Sequence, residues 1–116
     1  MNTETAIHMR LAMILDDNPK AHILVAGRYM PPVRCAYMEI KRATERARLR
    51  QTVSNGGHIR SVTDDGGSLD AYAPYGMARG RRADAVLFVG EMDDGAELMI
   101  GSFAATGAPV FTELGV

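Results

Sequence analysis

The sequence predicts an α/β fold: a small flavodoxin- or Rossmann-like three-layer sandwich with a four-stranded, mainly parallel sheet and an added N-terminal helix. Three observations carry that expectation. Short apolar runs with β-branched residues at 21–27 and 84–90 have the profile of strands buried on both faces. Stretches with helical spacing separate the strand-like runs, and strands joined through helices run parallel with right-handed crossovers. A length of 116 residues with 47% hydrophobic side chains suits one core and leaves no room for a second.

The elements follow in order. Ile7, Leu11, Ile14 and Leu15 recur at helical spacing over 3–15, and Asp16-Asp17-Asn18-Pro19 stops the pattern. Residues 1-20 therefore form a helix and linker, and 21-116 the α/β domain. After the first strand, Arg28 to Pro32 is expected as a loop, because each proline restricts its predecessor to extended backbone. From 33 to about 50, Ala36, Ile40, Ala43 and Ala47 fall on one helical face and charged residues on the other, with Arg42, Arg46 and Arg50 as a solvated column. Ser54-Asn55-Gly56-Gly57 is a turn. The alternation over 58–63 predicts a strand near the sheet edge, followed by a loop over 64–68. A helix is expected within 69–82, made irregular by Pro74, Gly76 and Gly80. Residues 84–90 form the clearest strand. A last helix runs from Asp94 to Thr106 with Gly107 as its terminating glycine, and 108–112 is the final strand.

Composition excludes several functions. A formal net charge of -1 gives no basic field for nucleic acid or an anionic membrane. The longest apolar runs fall far short of the ~20 residues a membrane span needs. Glu4 precedes any base and no apolar signal core follows, so a cytoplasmic address is expected. The single Cys35 closes no intrachain disulfide, and the ligand-type residues show no zinc spacing, so neither a metal nor a cofactor is expected.

In an open parallel sheet, ligands bind beyond the carboxyl ends of the strands where the strand order reverses. That rule selects the loops 28–32, 64–68 and 91–95. Their mouth is acidic, with Asp64, Asp65, Glu91, Asp93 and Asp94 set against Arg28. Carboxylates repel a polyphosphate but hydrogen-bond readily to sugar hydroxyls. No glycine-rich phosphate loop and no G-x-S-x-G elbow is present. His8, His22 and His58 are expected at positions away from the mouth, the last two at the amino ends of strands. Asp94-x-x-Glu97 fits a capping box.

One set of segments resembles a known family. The run 83–89, Asp94-Gly95, and 100–110 resemble the carboxyl-terminal half of the nucleoside 2-deoxyribosyltransferases and the related nucleoside 5'-monophosphate N-glycosidases. Residues 24–29 are similar to that family's first strand and loop, 57–61 to its second strand, and Tyr72-Ala73 to its next helix. The resemblance implies N-glycosidic chemistry on a nucleoside or nucleotide in a homodimer or larger homo-oligomer. In the family a Glu attacks the anomeric carbon while an Asp assists the departing base, two carboxyl groups sharing the work of a glycosyl transfer. Here Met99 stands at the place of that Glu, and Gly76 at the place of that Asp. Glu97 is the nearest substitute nucleophile, but two positions rotate it by about 200° around a helix. Asp70 is the nearest substitute for the lost Asp. The expected ligand-binding residues are Gly27, Arg28, Tyr29, Asp64, Asp70, Asp93, Asp94, Gly95 and Met99. Tyr29 is placed to stack on a base and Arg28 to bond a polar edge. Three functions stay open: a nucleoside- or nucleotide-binding relative with weak or no glycosidic activity, an active transferase or N-glycosidase using Glu97, and a protein-interaction module with a vestigial pocket.

Overall fold

Strand β1, His22–Gly27, is buried along five of its six residues and forms the middle of the molecule. Its odd-numbered residues Ile23 and Val25 face one core cluster, and Leu24 and Ala26 the other, as a strand buried on both faces requires. In the computed structural model, which describes residues 3–113, it is one of ten elements. They are α1 (Thr3–Asp17), β1, α2 (Met30–Ala43), β2 (Arg50–Ser54), β3 (His58–Val62), β4 (Ser68–Tyr72), a 3-10 turn (Tyr75–Ala78), β5 (Ala85–Val89), α3 (Asp94–Ala105) and β6 (Val110–Glu113).

The fold is α/β, but the sheet has six strands and is mixed, ordered β2-β3-β4-β1-β5-β6. This corrects the expected four-stranded, mainly parallel sheet. Strands β4, β1, β5 and β6 are mutually parallel, whereas β3 runs antiparallel to both β2 and β4. Taken alone, the four parallel strands have the order 2-1-3-4 that doubly wound sheets use. Helices α1 and α2 cover one face through Leu11, Leu15, Val33, Tyr37 and Ile40. On the other face α3 packs on β5 and β6, and the 3-10 turn lies over β1 and β4.

Three expectations about elements are corrected. Helix α2 begins at Met30 rather than 33: Pro31 and Pro32 occupy its first turn, where a missing N–H costs nothing. It stops at Ala43, not near 50, because the Thr44 hydroxyl bonds to the Ile40 carbonyl and the next three N–H groups, of Glu45, Arg46 and Ala47, turn to the Asp16 carboxylate. Burial pulls the Asp16 carboxyl up, and those three donors outweigh it and hold the group below its ordinary value. The chain released at Ala47 forms β2. Finally, the segment expected as an irregular helix is β4 followed by the 3-10 turn; β4 is buried at all five positions because it lies between β3 and β1.

Gly101 lies in the middle of α3 with nothing within 4 Å of the position a Cβ would take. Gly101→Ala is therefore expected to stabilise the fold by about 0.5–1 kcal/mol, seen as a raised urea midpoint at unchanged slope.

Candidate functional site

The chain leaves β1 toward α2 on one face and leaves β5 toward α3 on the other, so a crevice opens between the carboxyl ends of these neighbouring strands. Its floor is narrow. Gly27 ends β1, and a Cβ there would lie 2.5 Å from the Val89 carbonyl oxygen and 2.7 Å from Val33 Cγ2. Arg28 and Tyr29 follow at the rim; Tyr29 is the N-cap of α2 and is 66% exposed.

Asp93 organises the opposite wall. It is the N-cap of α3, in extended backbone, and its Oδ1 accepts the Ala96 N–H at 2.8 Å. The same oxygen accepts the Tyr75 hydroxyl at 2.8 Å, and Arg28 donates to Oδ2 across the crevice. The capping N–H, the Tyr75 hydroxyl and the Arg28 guanidinium outweigh burial and hold the Asp93 carboxyl below its ordinary 3.8. Tyr75 in turn keeps its proton to higher pH than usual, chiefly because it donates to that carboxylate. The positive end of α3 thus already has a carboxylate upon it, which leaves the crevice poorly suited to a phosphate there and well suited to neutral hydroxyl or amide groups.

The chain has no match among protein-family models, curated proteins or solved structures.

The structure brings Gly27, Arg28, Tyr29, Asp93, Asp94 and Gly95 to this one end of the sheet. Asp94 is exposed in the first turn of α3, and the cap is Asp93, one residue before the expected Asp94. At Gly95 a Cβ would stand 2.5 Å from the Tyr75 hydroxyl, so the glycine admits the tyrosine. Met99 is 9% exposed and packs into the α3-side core, while Glu97 is exposed on another side of the helix.

Asp64 is elsewhere. The loop 64–68 follows an antiparallel strand, so it lies at the amino end of β1, where Gly67 N–H bonds to the Pro19 carbonyl and Ser68 N–H to that of Ala21. Asp64 faces Arg50 at 3.7 Å. The same reversal corrects His58: it begins β3 but pairs with Tyr72 at the end of β4, which puts it at the crevice end of the sheet. Asp70, on the α3 side of β4, is 6% exposed and accepts hydrogen bonds from His58 Nε2 at 2.8 Å and Arg60 Nη1 at 3.1 Å. His8 reaches Glu113 at 2.9 Å and His22 reaches Ser68 at 2.8 Å. Two site residues were missed in the sequence, Tyr75 and His58; for His58 the signal is the alternation of polar residues along 58–60 and 70–72, by which both strands turn a polar stripe to one face, whereas Tyr75 lies in the 3-10 turn beyond them.

Among the described residues, no group of three or more His, Cys, Asp and Glu could hold a metal ion, and no helix is long and apolar enough to cross a membrane.

Because the folded-state Asp93 carboxyl titrates below 3.8, its contribution to stability is fully present above that value and is lost as pH falls through the lower folded-state one. Urea melts from neutral pH to about pH 3 are expected to show this acid loss, and Asp93→Asn to flatten that part of the curve.

Proposed function

We propose that this protein is a nucleoside- or nucleotide-binding relative of the nucleoside 2-deoxyribosyltransferases with little or no N-glycosidic activity. The resemblance of the segments at 24–29, 57–61 and 83–110 supports the family, and the crevice between β1 and β5 supports the ligand class. A sugar suits the crevice by chemistry: Asp93 and Arg28, paired across it, offer an acceptor and a donor to hydroxyls, and the exposed Tyr29 ring offers a stacking surface to a base.

The observation that carries the lack of activity is Met99. It occupies the inward position of α3 that the resemblance assigns to the attacking carboxylate, and a thioether cannot form a glycosyl ester or balance an oxocarbenium charge. Glu97 points to solvent from another side of the same helix, which weighs against its use as a replacement nucleophile.

The test has two arms. A thermal-shift panel of nucleosides, mononucleotides and free bases is expected to include a stabilising ligand, with a gain of about 2.7 kcal/mol at one hundred times its dissociation constant. Incubation of 2'-deoxynucleosides with a second base, followed by chromatography, is expected to yield neither exchanged nor hydrolysed product. Turnover at the level of a working enzyme overturns the inactive reading, and a panel without any ligand overturns the binding one.

A second reading has its own observation. The outer face of α1 carries a shallow groove of about 630 Å³ lined by Ile7, Met13 and Ile14, with Arg10 and Asp17 among its polar residues. Met13 is 59% exposed. In a twofold, antiparallel contact between two copies, Arg10 of each would meet Asp17 of the other, so a homodimer through α1 suits this face. Sedimentation velocity decides it; a monomer at high concentration removes the reading.

A further inference from the structure

A polar cluster on the α3 side of the sheet spans β4, next to β1, and β3 beyond it, and its side chains make none of the crevice contacts above. Asp70 is in the middle of a strand buried throughout, a place where a carboxylate is tolerated only with a partner. Arg60, directly opposite on β3, supplies one, with Nη1 at 3.1 and 3.3 Å from the two carboxylate oxygens. That pairing satisfies the charge. His58 adds a further bond to Oδ1 at 2.8 Å, and its ring stacks on Tyr72 with centroids 4.4 Å apart and planes 10° from parallel.

These contacts fix which ring nitrogen faces the carboxylate. A carboxylate held by an arginine is an acceptor, so Nε2 donates to it, and in the neutral tautomer this leaves the lone pair at Nδ1. Among the described residues Nδ1 has no hydrogen-bond partner. The backbone that carries the ring is also tied to the crevice wall. Asn55 accepts from the N–H groups of Gly57 and His58, and the Gly57 carbonyl accepts the Ala73 N–H at 3.2 Å, two residues before Tyr75. Register places His58, Tyr72, Ala26 and Phe88 in one row across β3, β4, β1 and β5, a span of roughly 14 Å at the usual strand spacing. Tyr75 meets the far end of that row edge-on at Phe88 and bonds to Asp93.

We propose that His58 is a ligand-binding residue at the outer end of this crevice, its Nδ1 accepting a hydrogen bond from a hydroxyl or ring N–H of the bound nucleoside, with Asp70 as the positioning residue that sets the imidazole. This rests on the nucleoside-binding reading above. It narrows the ligand class to one that offers a donor at that end, since a bare imidazole nitrogen attracts a donor and repels a phosphate oxygen.

Histidine-ring 15N spectra of the full chain test it, first alone and then with the ribo- and 2'-deoxynucleosides. The free protein is expected to show the His58 proton on Nε2 and a bare Nδ1, and a binding nucleoside to shift Nδ1. His58→Gln keeps a donor near the Nε2 position for Asp70 and leaves nothing at Nδ1. It is expected to melt like the parent and to bind that nucleoside about 3- to 10-fold more weakly. A proton found on Nδ1 in the free protein overturns the assignment whatever binds. A nucleoside that binds without moving Nδ1, and binds His58→Gln unchanged, overturns it and leaves the nucleoside-binding reading standing. A panel without a binder overturns both.

Discussion

Gly27→Ala is expected to abolish ligand binding in the crevice and to lower stability by about 3 kcal/mol. Gly27 is needed here for space: its backbone lies outside the positive-φ region, so an alanine there meets no conformational penalty. The added methyl would lie 2.5 Å from the Val89 carbonyl oxygen and 2.7 Å from Val33 Cγ2. Neither neighbour can yield cheaply. The Val89 oxygen belongs to the strand paired with β1, and Val33 is fully buried in the α2-side core. Relief therefore requires β1 and β5 to part at their carboxyl ends, which are the two lips of the crevice, and it carries Arg28 away from Asp93. Urea melts and the thermal-shift panel measure the two effects together. Gly101→Ala is the control, since it adds the same methyl into open space. Equal stability of Gly27→Ala and the parent would show that the strand ends are not packed as described.

The parts of this fold legible in the sequence are those whose burial leaves an unambiguous pattern. Residues 22–27 and 85–89 are apolar on both faces because they are central strands, and α1 and α3 carry helical spacing with recognisable ends at Asp17 and Gly107. β2 left no such mark. Arg50, Gln51 and Thr52 are exposed on an edge strand, so nothing apolar distinguished them from a continuing helical face. The break that creates β2 comes from Asp16, a long-range contact with the N–H groups of 45–47 that local spacing does not encode. Missing β2 and reading β4 as a helix hid both hairpins that β3 belongs to, and without them β3 was reversed. Those two errors moved Asp64 into the mouth and His58 out of it. The crevice residues Gly27, Arg28 and Asp93 needed only the parallel part of the sheet, which the sequence does encode. Tyr75 was hidden in a segment where Pro74 and Gly76 blur any period.

Arg60→Met is expected to cost about 3 kcal/mol. The reason is that Asp70 stays behind: its side chain is 8% exposed, in the middle of the sheet, and with Arg60 gone its ionised oxygens keep only the His58 bond. Most of that loss belongs to the stranded carboxylate and little to the pair itself, because desolvating two charges consumes most of what their attraction returns. Arg60→Met combined with Asp70→Leu is therefore expected to recover most of the stability, and a double-mutant cycle in urea reads the coupling directly. The same cycle separates two roles for the cluster. If these side chains only fill the sheet face, the recovered double variant binds nucleoside as well as the parent does. If Asp70 exists to aim His58 at a ligand, the double variant folds stably and still binds weakly, because the imidazole has lost the acceptor that set its proton on Nε2.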